Sequence, residues 1–160
     1  MRWTLKPKPD PVVVEHLCGV LGVEKPIASL LAQRGIKNFE QAKKFFRPSL
    51  EDLHDPFLMK DMNKAVERIE RAVAAGENIM VYGDYDVDGT TSVALVSSYL
   101  RSFYPNVATY IPDRYDEGYG ISFQGIDFAA DNEISLIIAL DCGIKAIDKV
   151  AYASEKKIDF

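Results

Sequence analysis

The sequence contains few of the residues that crosslink small proteins or anchor them in membranes. Only two of its 160 residues are cysteines, Cys18 and Cys142, which lie far apart and form no Cys-x-x-Cys pair. This excludes a disulfide scaffold and a cysteine-based zinc cluster, and it predicts a reducing, cytoplasmic location. No apolar run reaches the roughly 18 residues that a membrane span needs, and residues 1–10 carry prolines and lysines in place of a signal-peptide core. We therefore expect no membrane partner and no export signal.

Positive charge is scarce in the second half of the chain. Residues 1–80 hold 13 basic and 11 acidic side chains, whereas residues 81–160 hold 6 basic and 13 acidic ones, and the whole chain has a formal net charge of −5. Apolar residues make up 48% and charged residues 27%, which is typical of a globular domain and excludes a disordered or fibrous chain. An acidic protein is an unusual nucleic-acid binder unless its acidic groups are clustered to hold metal ions.

The apolar pattern changes near residue 60. Residues 1–60 predict a helical N-terminal segment, because short apolar stripes are interrupted by prolines and glycines. The predicted helices are Pro11–Leu21, a segment with Pro26 in its first turn, and a segment capped by Asn38 in which Phe39, Ala42, Phe45 and Phe46 face inward.

From residue 61 onward, helical and strand patterns alternate. Helices are predicted over 61–75, 89–102, 122–131 and 143–154, and strands over 78–82, 106–111 and 135–140, with 157–160 beginning a further strand. This alternation predicts βαβ units and an α/β fold in which a mostly parallel sheet carries helices on both faces. Such sheets place their chemistry at the carboxyl ends of the strands.

Three aspartates, Asp84, Asp86 and Asp88, follow the first predicted strand at intervals of two. If the backbone stays extended, their carboxylates point to one side. Charges about 6 Å apart repel by roughly 3 kcal/mol per pair at an effective dielectric of ~20, and no Lys or Arg lies between Met80 and Leu100. Mg²⁺ or Mn²⁺ is the simplest partner for such oxygens.

A fourth aspartate, Asp141, follows the third predicted strand. Because a parallel sheet brings the ends of its strands to one edge, four carboxylates there predict a two-metal site. The alternative is that the Asp-Gly pairs only mark turns and that Asp141 only caps the next helix.

Two known motifs share part of this acidic segment. An EF-hand calcium loop is excluded, because a strand precedes Asp84 and the twelfth position of the loop is Leu95 in place of Glu. The string DVDGT also resembles the start of the haloacid-dehalogenase phosphatases, in which Asp86 would be the nucleophile and Asp88 the general acid. The later Gly-Asp motif of that family does not occur after residue 90.

A third and closer resemblance is to the DHH phosphoesterases, in the form of the RecJ-type exonucleases. It rests on residues 79–92 (IMVYGDYDVDGTTS), 111–122 (IPDRYDEGYGIS) and 137–144 (IIALDCGI), and on the stretch RPSLEDLHDPFLMKDM before them. The resemblance implies a monomeric enzyme that hydrolyses single-stranded DNA from its 5′ end during DNA repair and recombination, using two Mn²⁺ or Mg²⁺ ions.

The resemblance also implies roles for particular residues. The metal ligands or their supports would be Asp84, Asp86, Asp88 and Asp141, of which Asp86, Asp88 and Asp141 would be catalytic. Arg114, Gly118, Tyr119 and Gly120 would lie near the substrate backbone, where Arg114 offers a forked donor to phosphate. The alternative is that Arg114 lies in a surface turn and that the glycines only permit a bend.

The Asp-His-His motif for which the family is named is absent. The only histidines are His16 and His54, both outside the acidic motifs. We therefore expect an N-terminal fragment of a longer protein, in which 61–160 form an incomplete DHH domain without useful nuclease activity of its own. Two other interpretations stay open, namely another DHH-type phosphoesterase acting on short oligonucleotides or cyclic dinucleotides, and a catalytically dead relative that serves as a binding partner.

Overall fold

The computed structural model describes residues 4–160, so residues 1–3 of the predicted helical segment lie outside it. The chain divides into two compact units, with the boundary between Leu58 and Met59. Within the described residues, no helix is both long enough and apolar enough to cross a bilayer.

The first unit is built from short helices around a small apolar core. Its helices are α1 (Pro11–Leu21), α2 (Lys25–Gln33) and α3 (Phe39–Phe46), followed by 3₁₀ turns at Leu50–Asp52 and Pro56–Leu58. As predicted, Asn38 caps α3, because its Oδ1 accepts the Gln41 N–H at 2.9 Å. The core consists of Val14, Leu17, Ala28, Leu31, Ile36 and Ala42.

The apolar face predicted for α3 is wrong except at Ala42. Ala42 is buried, but Phe39, Phe45 and Phe46 are 48%, 51% and 60% exposed. Phe45 and Phe46 pack edge to face on each other, with ring centroids 5.2 Å apart. Helical spacing identifies an apolar stripe but not the neighbour that covers it, and the core of this unit covers only one position of the stripe.

The second unit contains a three-stranded parallel sheet. Its elements are α4 (Met62–Ala75), β1 (Asn78–Gly83), α5 (Val87–Arg101), β2 (Val107–Tyr110), α6 (Phe123–Asp131), β3 (Ile134–Leu140) and α7 (Ile147–Glu155). The strand order is β2-β1-β3, so the first strand is central and its neighbours follow it on opposite sides. The order therefore reverses at β1, which creates a topological switch point between β1 and β3.

Helices cover both faces of this sheet. Ile79 and Val81 of β1 pack in a core with residues of α4 and α5, whereas Met80 and Tyr82 pack in a second core with residues of α6 and α7. This follows from the two-residue period of a strand, which sends successive side chains to opposite faces. The predicted α/β class, with a mostly parallel sheet and helices on both faces, is confirmed.

Two helix starts differ from the prediction by two residues or more. α5 begins at Val87, two residues earlier than expected, because the side chain of Asp86 caps it. α7 begins at Ile147, four residues later than expected. Gly143 has φ +93°, which no α-helix accepts, so a turn precedes the helix.

A further strand begins beside β3, as the apolar pattern of 157–160 predicts. It is present as a single parallel bridge between Leu136 and Asp159. The Ile137 N–H donates to the Asp159 carbonyl at 2.8 Å, and the Asp159 N–H donates to the Ser135 carbonyl at 2.9 Å.

Candidate active site

The acidic motifs follow adjacent strands at the point where the strand order reverses. The last residue of β1, Gly83, is the register partner of Leu140, the last residue of β3. Asp84 and Asp141 come directly after these two residues, so they are neighbours at the carboxyl edge of the sheet. Open parallel sheets bind their ligands in the crevice at this point.

Two glycines allow α5 to begin directly against the end of β1. A Cβ atom on Gly89 would lie 2.5, 2.6 and 2.9 Å from the O, N and C atoms of Asp84. A Cβ atom on Gly83 would lie 2.5 Å from a methyl carbon of Val93 and 2.7 Å from the Gly89 carbonyl oxygen. The absence of both side chains thus places Asp86 and Asp88 at the first turn of α5, next to Asp84.

Asp84 is fully buried and is held by backbone N–H groups. Its Oδ1 accepts the Tyr85 N–H at 2.7 Å, and its Oδ2 accepts the Gly120 N–H at 2.9 Å. Buried carboxylates need such donors, because burial removes the water that would otherwise solvate them. Asp84 therefore joins the strand end to the Gly118–Gly120 loop, 36 residues later in the chain.

Asp86 and Asp88 have different surroundings. Asp86 is half-buried, and its Oδ1 accepts the Gly89 N–H at 2.8 Å while its Oδ2 accepts the Tyr119 hydroxyl at 3.2 Å. Asp88 is exposed in the first turn of α5, where the positive end of the helix dipole favours a negative charge. The backbone does not stay extended from Asp84 to Asp88, because the chain becomes helical at Val87, so the condition for three carboxylates on one side is not met.

Asp141 is exposed, in a left-handed conformation with φ +56° that aspartate tolerates better than most residues. The negative charges of Asp141, Asp84 and Asp86 all raise the pKa values of two neighbouring groups, Cys142 and Tyr119. Burial, followed by the charges of Asp84 and Asp141, raises the pKa of Cys142 to about 11. The hydrogen bond to Asp86 raises the pKa of Tyr119 to about 12, with smaller contributions from Asp84 and Asp141.

The acidic edge has no basic partner in the described part of the chain. Salt bridges join Lys44 to Asp52, Lys64 to Asp61, Arg68 to Glu77 and Asp159, Lys149 to Asp148 and Lys156 to Asp127. None of them involves Asp84, Asp86, Asp88 or Asp141. Carboxylate oxygens without basic partners have the donor chemistry that Mg²⁺ and Mn²⁺ prefer.

The coordination set is nevertheless incomplete between residues 4 and 160. No group of three or more His, Cys, Asp or Glu side chains in that range is arranged to hold a metal ion. Both oxygens of Asp84 accept backbone N–H groups, and Asp88 lies on the exposed turn of α5. The donor chemistry therefore fits a divalent ion, but a complete site requires further ligands.

The residues predicted to lie near substrate border the same edge. Gly118 and Gly120 have φ values of +83° and +87°, which form the tight bend that carries Tyr119 to Asp86. The guanidinium carbon of Arg114 lies 5.2 Å from the ring centroid of Tyr85, and Arg114 is exposed. The structure thus brings the loop to the acidic edge, where Gly120 and Tyr119 contact aspartates.

The sequence did not single out three residues at this site, Tyr82, Tyr85 and Glu117. Tyr85 packs edge to face on Tyr119, with ring centroids 5.7 Å apart. Glu117 accepts hydrogen bonds from the Tyr110 hydroxyl at 2.9 Å and from the Ser122 hydroxyl. The position of Tyr85 between Asp84 and Asp86 could have indicated that it lies at the site. The contacts of Glu117 and Tyr82 form only when the loop closes, and no local sequence pattern encodes them.

A cleft of about 360 Å³ opens beside Asp141. Its lining includes Tyr119, Gly120, Cys142, Lys145 and Lys149. Lys149 is paired with Asp148, so Lys145 supplies the positive charge on this wall of an otherwise acidic edge, which suits an anionic ligand such as a phosphate group.

Comparison with protein families finds a match over most of the second unit, from β1 onward. The model described as "DHH family, N-terminal domain" matches residues 78–160, which include Asp84, Asp86, Asp88 and Asp141.

Comparison with curated proteins finds single-stranded-DNA-specific exonucleases named RecJ. The protein of Bacillus subtilis (strain 168) is 40% identical over 159 residues, which are 99% of this chain and 20% of that protein. The protein of Escherichia coli (strain K12) is 32% identical over 126 residues, which are 78% of this chain and 21% of that protein. The chain therefore spans about one fifth of the length of these relatives.

Two solved structures are also similar. One is RecJ in complex with Mn²⁺ from Thermus thermophilus, with a TM-score of 0.68 and 23% sequence identity. The match covers 95% of this chain and 21% of that one, and it supports the fold. The other is an exonuclease RecJ bound to manganese, with a TM-score of 0.57 and 30% identity over 62% of this chain and 26% of that one.

Proposed function

Because this chain belongs to the DHH family, we propose that it forms the first part of a catalytic domain that hydrolyses single-stranded DNA. The observation that carries the proposal is that Asp84 and Asp141 follow adjacent strands at the switch point of the sheet, with Asp86 two residues after Asp84, and that none of the three has a basic partner within residues 4–160. The names of the relatives support single-stranded DNA as the substrate, and the two manganese-containing structures support a divalent metal. Membership of the family also removes support for the phosphatase hypothesis, because the match includes the DVDGT string.

The proposed roles follow from the surroundings of each carboxylate. Asp86, Asp88 and Asp141 would ligate the metals, and Asp84 would support them, since it is fully buried and both of its oxygens accept backbone N–H groups. Two bound Mn²⁺ or Mg²⁺ ions would supply a hydroxide nucleophile and would stabilise the leaving oxygen. Gly89 and Tyr119 orient Asp86 by donating one hydrogen bond to each of its oxygens.

Arg114 is proposed to bind the phosphate backbone of the DNA. Its guanidinium group is exposed above the ring of Tyr85, and a guanidinium fork suits the oxygens of a phosphate. Gly118, Tyr119 and Gly120 place this loop against the acidic edge, so the bound strand would pass close to Asp86.

We further propose that the enzyme digests from the 5′ end, acts in DNA repair and recombination in the cytoplasm, and is a monomer.

The incomplete coordination set leads to a proposal about domains. Residues 61–160 form part of a DHH domain whose remaining metal ligands lie elsewhere in a longer protein, since three suitable donors do not converge among the described residues. We therefore expect the isolated 160-residue chain to release no nucleotides from single-stranded DNA. Nucleotide release by the isolated chain would contradict this proposal.

The test of the proposed function uses the full-length gene product. We expect Mn²⁺-dependent release of nucleotides from a 5′-labelled single strand, little release from the matching blunt duplex, and loss of release in Asp141→Asn. The matched control is Asp131→Asn, an exposed aspartate at the end of α6, which should retain wild-type activity. Cleavage confined to dinucleotides or cyclic dinucleotides would indicate another DHH-type phosphoesterase, and no cleavage of any of these would contradict the proposal.

A further inference from the structure

Tyr82 is a fully buried tyrosine whose hydroxyl group reaches a loop of the site. Its ring belongs to the core beneath β1, and it stacks on the ring of Tyr110 with centroids 5.2 Å apart. The Tyr82 hydroxyl donates to the Gly120 carbonyl at 3.0 Å and accepts the Ser122 N–H at 3.1 Å. One phenol oxygen thus binds the chain on both sides of residue 121.

The loop bound by Tyr82 is the one that contacts Asp84. The Gly120 N–H donates to Asp84 Oδ2 at 2.9 Å, while the carbonyl of the same residue accepts from Tyr82. Gly120 has φ +87°, a conformation open to glycine and strained for other residues, and no neighbouring atom fills the space where a side chain would be. The orientation of the Gly120 N–H therefore depends on its hydrogen bonds more than on packing.

Glu117 fixes the direction of these hydrogen bonds. Its Oε2 accepts from the hydroxyls of Ser122 and Tyr110, and its Oε1 accepts the Asp113 N–H at 2.7 Å. Because the Ser122 proton points to Glu117, the proton of Tyr82 is available for Gly120. A continuous chain of bonds therefore runs from Glu117 through Ser122, Tyr82 and Gly120 to Asp84.

We propose that Tyr82 is a positioning residue whose hydroxyl holds the Gly120 N–H against Asp84. Tyr82 contacts none of Asp86, Asp88 and Asp141 in the hydrogen-bond network, so it acts through the loop and not on the substrate. The loop also carries Tyr119, which donates to Asp86, and a shift at Gly120 would therefore disturb both aspartates. This inference rests on the proposed function and names a residue that supports the same site.

The test compares Tyr82→Phe with Tyr104→Phe in the full-length gene product. Tyr104 is also buried in the second unit, and its hydroxyl also donates to a backbone carbonyl, that of Glu77, which precedes β1 at the end of the strand opposite to Asp84. Both variants lose one hydroxyl: Tyr82→Phe loses the bonds to Gly120 and Ser122, and Tyr104→Phe loses the bond to Glu77. A purely structural role predicts lower stability in both variants and no change in the Mn²⁺ requirement of either. The first readout is the Mn²⁺ concentration that gives half-maximal nuclease activity together with kcat and KM.

We expect Tyr82→Phe to raise the required Mn²⁺ concentration or to lower kcat by about tenfold or more, the effect typical of groups that orient metal ligands. KM for single-stranded DNA and all parameters of Tyr104→Phe should stay near wild type. The second readout, amide hydrogen exchange in the metal-free protein, should show faster exchange at Gly120 in Tyr82→Phe only.

The outcomes separate the two proposals. If the wild-type protein degrades single-stranded DNA and Tyr82→Phe matches Tyr104→Phe in both readouts, the inference about Tyr82 is wrong and the proposed function stands. If the wild-type protein neither binds Mn²⁺ nor degrades DNA, the proposed function fails, and the positioning role fails with it.

Discussion

Replacing Gly89 by alanine tests how closely α5 approaches the end of β1. The added Cβ atom would lie 2.5, 2.6 and 2.9 Å from three backbone atoms of Asp84, whereas ordinary contacts begin at 3.4 Å. Overpacking of this kind costs about 1–3 kcal/mol, and the upper end applies because a strand backbone cannot move aside like a flexible side chain. Alanine recovers about 1 kcal/mol of helix propensity. We therefore expect a net loss of about 2 kcal/mol in the free energy of unfolding of the second unit.

The assay is native-state hydrogen exchange of the β1 amides in the second unit. A loss of about 2 kcal/mol corresponds to a roughly 30-fold fall in protection, since 1.4 kcal/mol is about a factor of ten. Gly19 in α1 is the matched glycine, because nothing lies within 4 Å of its added Cβ. Gly19→Ala should raise the free energy of opening, measured from the exchange of the α1 amides, by about 0.5–1 kcal/mol. Unchanged β1 protection in Gly89→Ala would refute the geometry of this turn.

Two further predictions concern ionic groups. Arg68 donates to Glu77 at 2.7 Å and to Asp159 at 2.6 Å. The hydrogen bond from Arg68, and to a smaller extent the one from Ser135, lowers the pKa of Glu77 below its ordinary 4.5. The stability that Glu77 contributes is thus present above about pH 4.5 and lost as the pH falls through its folded pKa. Urea unfolding of Arg68→Ala should therefore lose about 1–2 kcal/mol at pH 7, and the loss should shrink progressively as the pH is lowered below 4.5. A loss that stays constant as the pH is lowered until Glu77 is protonated would contradict this assignment. Arg114→Lys keeps the charge but not the fork, and steady-state kinetics should show KM for single-stranded DNA rising about tenfold with kcat unchanged. Arg71→Lys, at an exposed position of α4, is the control, and an unchanged KM in Arg114→Lys would argue against phosphate binding.

The sheet could be predicted because its strands are encoded locally. The central strand is buried on both faces, so residues 78–82 form an apolar run, and β3 gives the same signal. The position of Asp141 beside Asp84 followed from that interpretation, since parallel strands end at one edge. Such features depend on short windows of sequence and on a general rule of topology.

Other features depend on contacts that no short window contains. The conformation of the acidic segment could not be read from the sequence, because Gly89 lets α5 pack against Asp84, and this makes Asp86 a helix cap. The prediction that the phenylalanines of α3 face inward is wrong, because an apolar stripe on a helix does not specify which neighbour covers it. The bonds of Tyr82 to Gly120 and Ser122 join positions 38 and 40 residues apart, and they form only after the loop has closed.

The central claim is that the acidic edge of this sheet holds catalytic metal, and Asp86 tests it most directly. The measurement is the initial rate of Mn²⁺-dependent nucleotide release from single-stranded DNA by full-length Asp86→Asn. Asparagine can still accept the Gly89 N–H through its amide oxygen, so the cap of α5 is retained while the negative charge is lost. We predict a rate at least about a hundredfold below wild type with an unchanged unfolding midpoint. A variant that digests DNA at the wild-type rate would contradict the claim.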